Sequence, residues 1–98
     1  KVFDMVKEFE SWGAKVVITD SWANAEEVKH EYGYDLGIID PEHQVDSLVV
    51  AVGHNEYRHL TANKLASFVR TEKPVLADVK SLFRREDIAS HGFTVFRL

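Results

Sequence analysis

The 98-residue chain contains no cysteine, so it can hold neither a disulfide nor a thiolate metal site. That absence fits a cytoplasmic protein, which is the expected location. Only two prolines occur: Pro41 falls in a turn, and Pro74 at a strand start, where a missing N–H does least harm. The five glycines, Gly13, Gly33, Gly37, Gly53 and Gly92, do not form the GxGxxG spacing that cradles a dinucleotide pyrophosphate. No apolar run approaches the ~20 residues that span a bilayer, so no membrane partner is expected. No signal-peptide pattern follows Lys1. The formal net charge of −4 argues against a nucleic-acid partner, which selects a basic stripe, but it leaves room for a local cationic pocket. His54 and His59 lie five positions apart, a poor match for one helical face, so no metal site is expected. His30, His43 and His91 have no partners evident in the sequence.

What is present is a set of apolar runs that each give way to a polar residue. Lys15-Val16-Val17-Ile18-Thr19 ends at Asp20, Leu48-Val49-Val50-Ala51-Val52-Gly53 ends at His54, and Val75-Leu76-Ala77-Asp78-Val79 ends at Lys80. Each run reads as a buried strand, and the stretches between them carry helical spacing. Alternating strand and helix implies an α/β fold with a parallel sheet, because a parallel return needs a crossover. In an open parallel sheet the carboxyl ends of the strands share one edge, and ligands bind there. Asp20, His54 and Lys80 are therefore expected along one rim.

Val2, Met5, Val6, Phe9 and Trp12 recur at helical spacing and form one apolar stripe, with Gly13 as the stop. Asn24 reads as the N-cap of a helix over Ala25–Tyr32 that Gly33 ends, with Glu26 and Glu27 favourably near its start. Leu36–Ile39 reads as a short strand or an extended loop, and Asp40-Pro41-Glu42-His43 as a turn. Leu48–Gly53 suits a central strand covered on both faces. A helix over Leu60–Val69 follows, with Thr61 as N-cap and Leu60, Leu65, Phe68 and Val69 buried. Arg84–Ser90 reads as a short polar helix with the Arg84-Arg85 pair at its solvated start, and Phe93–Phe96 as a final edge strand. The first residues are already helical in pattern, whereas a doubly wound domain usually opens with a strand. Residues 1–98 are accordingly expected to be one domain cut from a longer protein, lacking the first strand of its sheet.

The order of motifs carries a resemblance. Asp20-Ser21-Trp22-Ala23-Asn24 follows the first strand, then come His30-Glu31-Tyr32-Gly33-Tyr34-Asp35-Leu36, Val50-Ala51-Val52-Gly53-His54, Asp78-Val79-Lys80 and a closing Arg97-Leu98. This resembles the C-terminal, UDP-binding domain of the UDP-glucose/GDP-mannose dehydrogenase family. Within the family it is most similar to the branch that oxidises UDP-N-acetylglucosamine or UDP-N-acetylgalactosamine for capsular or O-antigen polysaccharide. Each tripeptide alone is a weak signal, and the specificity lies in their sum over nearly the whole chain. Ser21 stands where the family usually has Pro, which loosens the turn after that strand. The family's Phe-Lys…Asp-x-Arg-x-Ser segment is expected ahead of Lys1, as are its catalytic cysteine, lysine and asparagine.

The resemblance implies a Rossmann-like, three-layer fold with a mostly parallel sheet. It implies a parent oxidoreductase that performs two NAD-dependent oxidations at C6 of a UDP-sugar, with NAD bound mainly by an N-terminal domain. No catalytic residue is expected within residues 1–98, which alone should be inactive. It further implies a homo-oligomeric parent assembled through a central domain. Lys80 is the leading substrate-binding candidate, an ammonium at a strand end that meets the nucleotide sugar as a point charge. His54 and Asp78 are further candidates. His54 either donates to a ligand or holds the strand-to-helix turn, and Asp78 either meets substrate or accepts backbone N–H bonds. Asp20 reads as a structural cap, since no glycine fingerprint precedes it. The rival reading is a flavodoxin-like signalling or nucleotide-binding module without catalysis. A phosphoacceptor module needs aspartate after its central strand, where Gly53-His54 stand.

Overall fold

A computed structural model describes residues 2–97, and these fall into two compact units, Lys1–Ile39 and Asp40–Leu98.

In the first unit, helix α1 (Val2–Ser11) buries Val6, while Val2, Phe3, Met5 and Phe9 of the same stripe are half-buried. Trp12 does not join that stripe. It lies one residue past the helix, is 71% exposed and meets Phe9 edge-on at 6.0 Å. Helix α2 (Ala25–Tyr32) begins as its sequence dictates: Asn24 Oδ1 accepts from Glu27 N at 3.1 Å. It ends at Gly33, whose φ of 79° is the left-handed conformation that a side chain penalises. Phe3 stacks on Tyr32 at 4.1 Å and on Tyr34 at 5.7 Å, and the Tyr34 hydroxyl donates to Glu10 Oε1 at 2.7 Å. That hydrogen bond, chiefly, raises the Tyr34 phenol above its ordinary pKa. The expected strand over Lys15–Thr19 reduces to one parallel bridge, Ile18 with Leu36. A β-rich run becomes a ladder only where a second run of similar length lies beside it, and Leu36-Gly37 supplies one pairing position.

The second unit holds a three-stranded parallel sheet in the order β1 (Ser47–Val50), β2 (Val75–Asp78), β3 (Thr94–Arg97). Leu48, Leu76 and Val95 stand in register and form the buried row, with Leu76 fully inaccessible. The intervening row, Val49, Ala77 and Phe96, is more open: Val49 is 42% and Phe96 55% exposed. This alternation is the two-residue period of a pleated strand. Leu65, Val69, Phe83, Ile88 and Phe93 complete the core of this unit.

Several boundaries differ from the sequence reading, among them β3, which runs Thr94–Arg97 rather than Phe93–Phe96. The first strand stops at Val50 rather than Gly53, because its neighbour also ends there: Val79 N donates to Val50 O at 3.0 Å and β2 turns away. It is an edge strand of this sheet, and β2 is the central one. The helix expected over Leu60–Val69 is shorter. Helix α3 (Asn55–Arg58) is a single turn, and α4 (Ala62–Ala66), capped by Thr61 Oγ1 on Lys64 N, yields at Ser67. Val69 instead bridges Val45 in parallel, with Val45 N on Phe68 O at 2.8 Å and Arg70 N on Val45 O at 3.0 Å. Arg70 then grips Asp46 in a fork, Nε to Oδ1 at 2.9 Å and Nη2 to Oδ2 at 3.5 Å. That guanidinium holds the Asp46 carboxyl below its ordinary pKa. Asp40-Pro41-Glu42-His43 closes as a turn, and the His43 side-chain hydrogen bond at 2.8 Å lowers the Asp40 pKa.

Candidate functional site

Because β1 and β2 are parallel, the segments that leave their carboxyl ends emerge on one edge. Ala51–His54 leaves β1 and enters α3; Val79–Arg84 leaves β2 and enters helix α5 (Arg85–Ala89). The two segments pack closely at Gly53. A β-carbon there would lie 3.3 Å from the Arg58 guanidinium and 3.7 Å from Leu82 Cδ2. Arg58 Nε also donates to Gly53 O at 3.1 Å, which fixes the first segment to its own helix turn. Glycine at 53 therefore serves a close approach.

The second segment is fastened from beneath. Asp78, the last residue of β2, is 1% exposed. Its Oδ1 accepts from Leu82 N at 2.9 Å and its Oδ2 from Phe83 N at 2.9 Å. Both lone-pair edges of a buried carboxylate are thus occupied by backbone donors, the arrangement that lets a buried charge persist. The span between anchor and anchored residues is tight enough to place Ser81 at φ 54°, a conformation most side chains avoid. Lys80 sits at the crest of this turn and is exposed.

His54 precedes α3 at its N-cap position, makes no side-chain cap bond, and stacks on Tyr57 with ring centroids 5.6 Å apart. Lys80 and His54 thus follow the ends of two paired strands on one edge, and Asp78 lies under the same edge. Asp20 is different. It belongs to the first unit and follows a single bridge rather than a strand of the sheet. Its Oδ1 accepts from Trp22 N at 2.9 Å, and its carbonyl accepts from Ala23 N at 3.3 Å, the geometry of an Asx turn.

An open cleft of about 460 Å³ borders the Leu82–Arg84 part of the second segment, with Arg58, Asn63, Arg84 and His91 among the polar groups and Leu82 and Ile88 among the apolar ones; Lys80, His54 and Asp78 do not line it. Arg84 lies 3.9 Å from Asp87 at the surface. The sequence reading missed Arg58, five residues beyond Gly53, whose helical reach back to that carbonyl depends on a one-turn helix too short to show periodicity. Arg85 is exposed, as expected of a solvated helix start, and its Nη2 also donates to Val95 O at 2.7 Å, a contact the sequence does not signal.

Chemically, this edge offers point and fork cations beside exposed backbone, an arrangement suited to an anionic ligand. Among the described residues no group of three His, Asp or Glu could hold a metal ion, and no helix is long and apolar enough to cross a membrane. The segment after β1 carries Gly53 alone, without the spaced glycines of a dinucleotide cradle, and Arg58 and Leu82 lie against it.

Parallel strands, intervening helices and a shared loop edge define a small Rossmann-like α/β domain. The sequence matches the UDP-glucose/GDP-mannose dehydrogenase family, UDP binding domain, over residues 1–85, and the chain belongs to that family. The UDP-N-acetyl-D-glucosamine 6-dehydrogenase of Salmonella typhi is 34% identical over 87 residues, 88% of this chain and 20% of its own length. The enzyme of the same name from Pseudomonas aeruginosa is 34% identical over 83 residues, 84% of this chain and 19% of its own length. A UDP-glucose 6-dehydrogenase of Rhizobium meliloti (strain 1021) is 36% identical over 50 residues, 51% of this chain and 11% of its own length. The chain thus spans about a fifth of the first two relatives.

Proposed function

We propose that residues 1–98 are the UDP-sugar-binding, C-terminal domain of a longer NAD-dependent 6-dehydrogenase that oxidises a UDP-N-acetylhexosamine to its uronic acid for surface polysaccharide. The observation that carries this reading is the family match over residues 1–85, which includes both loops of the cationic edge. The two UDP-N-acetyl-D-glucosamine 6-dehydrogenases, similar over more than four-fifths of the chain, favour an N-acetylhexosamine over glucose.

In this role the domain binds and orients. Lys80, held at the crest of the turn after β2, meets the anionic nucleotide end of the substrate. Binding energy gathered there positions a distant sugar carbon, which raises the rate only if the geometry matches the transition state. His54 lines the neighbouring segment, and Asp78 shapes the turn from below. NAD would supply the hydride acceptor in the parent; Ala51–His54 lacks the glycine spacing that holds a dinucleotide, and in this reading its site lies in other parts of the parent. The parent is a soluble oligomer in this reading, and the isolated chain is inactive.

A phosphoacceptor module is the weaker reading. Its aspartate must be open to a phosphodonor, whereas Asp78 is 1% exposed with both carboxylate oxygens engaged.

The test is NADH production by the parent enzyme with UDP-N-acetylglucosamine, UDP-N-acetylgalactosamine, UDP-glucose and GDP-mannose. The N-acetylhexosamines should be turned over preferentially. Activity confined to UDP-glucose or GDP-mannose would refute the substrate assignment.

A further inference from the structure

Arg97, at the end of β3, lies beyond the residues that the family match covers. It stands in register with Asp78 across the β2–β3 ladder. Side chains in register on neighbouring strands project from the same face. Both reach the backbone of one residue, Phe83, from that position, on the two peptide groups that flank its α-carbon. Asp78 Oδ2 accepts from Phe83 N, and Arg97 Nη2 donates to Phe83 O. Phe83 is therefore held at its N–H by an anion and at its C=O by a cation. Its ring is buried, and Leu82 beside it packs at Gly53. On β3 itself, two residues before Arg97, Val95 O accepts from Arg85 Nη2 at 2.7 Å, which ties the start of α5 back to the same strand. The two bonds at Phe83 fall on the far arm of the turn that carries Lys80, and the Arg85 bond holds the helix that follows it.

We propose that Arg97 is a positioning residue: with Asp78 it clamps the Val79–Arg84 turn at Phe83 and so sets where Lys80 is presented to an anionic nucleotide. The clamp matters because the turn contains a left-handed serine, Ser81 at φ 54°, which would relax if its far end were released. Hydrogen bonds to charged groups are the stronger class, and two of opposite sign on the consecutive peptide groups of Phe83 restrict the backbone torsions between them as well as its position. Lys80 has a flexible stem, so the backbone beneath it determines the volume its ammonium samples. The inference rests on the ligand role given to Lys80 above.

The test uses the full-length parent enzyme with Arg97→Met and Arg97→Lys, each alone and combined with Lys80→Ala. Arg97 is exposed, so its replacement spares the core that Asp78→Ala would disturb. Two quantities are read: the dissociation constant for UDP, and amide hydrogen exchange at Leu82 and Phe83. Arg97→Met should speed exchange at both amides and weaken UDP binding by about fivefold, less than the roughly tenfold or more expected for losing the Lys80 contact through which it acts. Arg97→Lys, which keeps a cationic donor, should recover most of the affinity. In the Lys80→Ala background Arg97→Met should weaken UDP by less than about twofold, because its effect travels through Lys80. Equal weakening in both backgrounds, or unchanged exchange in Arg97→Met, would overturn the clamp. If Lys80→Ala alone leaves UDP affinity intact while exchange responds to Arg97, the clamp on the turn stands. It is then the ligand role of Lys80 that is refuted.

Discussion

Two apolar runs of equal length end differently in this chain. Lys15–Thr19 and Val75–Val79 are both five residues rich in aliphatic side chains. The second becomes β2, flanked by β1 and β3, with Leu76 fully buried. The first makes one bridge, and Val17 within it is 38% exposed. Composition is nearly the same, and the number of partners differs. A strand is stabilised by cross-strand neighbours and by burial of alternate residues, so a run without neighbours keeps its extended shape but gains little. The unit Asp40–Leu98 has both, and its loop edge is correspondingly well braced; in Lys1–Ile39 the buried apolar residues are Val6 and Val28.

The sharpest way to break this comparison is a matched pair of truncations. Leu76→Ala removes a fully buried side chain from the central strand and should cost about 2–5 kcal/mol in chemical denaturation. Val17→Ala should cost less than about 1 kcal/mol, because the residue still meets water. Equal losses would mean that Lys15–Thr19 is a packed strand after all.

The next contrast sets a buried carboxylate against an exposed cap. Asp78→Ala leaves two backbone donors, Leu82 N and Phe83 N, without their acceptor and should cost about 2–4 kcal/mol by the same measurement. Asn24→Ala removes one solvent-facing cap of α2 and should cost about 1 kcal/mol. A smaller loss at Asp78 than at Asn24 would show that the turn after β2 is free to find other donors and acceptors.

The smallest effect is in acid. Asp46 titrates below its ordinary range in the folded chain because Arg70 hydrogen-bonds its charged form. A depressed carboxylate contributes stability that is present above the unfolded pKa and is lost as pH falls through the folded one. The stability gap between the native chain and Arg70→Gln should therefore be open at neutral pH and close below the ordinary carboxylate range. Both side chains are exposed, so added salt should narrow the gap at neutral pH. Nuclear magnetic resonance titration of the Asp46 carboxyl should show its midpoint rising in Arg70→Gln; an unmoved midpoint would remove Arg70 as the cause.

Much of the fold was legible because it is written in local chemistry. Asn24, Gly33 and Thr61 mark helix ends by the backbone groups they satisfy or the φ they permit, and each stands where it was expected. Alternation of apolar runs with helical stretches was enough to indicate a parallel sheet. What escaped was set by partners remote in sequence. Val69 left its helix because Val45 offers a bridge, and β1 is an edge because the sheet of the second unit runs in the order β1-β2-β3. At the candidate site the same division holds. Lys80, His54 and Asp78 were visible as polar residues at or just beyond strand ends. Arg97 was visible only as part of the closing Arg97-Leu98 pair, and its role was not, since its reach to Phe83 depends on the β2–β3 register rather than on any neighbour in sequence.

The most direct measurement is a calorimetric titration of UDP into the full-length enzyme, native against Lys80→Ala. A charged contact to the nucleotide should weaken by about tenfold or more in the variant, with the difference shrinking as salt is raised. Identical affinities at low salt would contradict the placing of the nucleotide at this edge of the sheet.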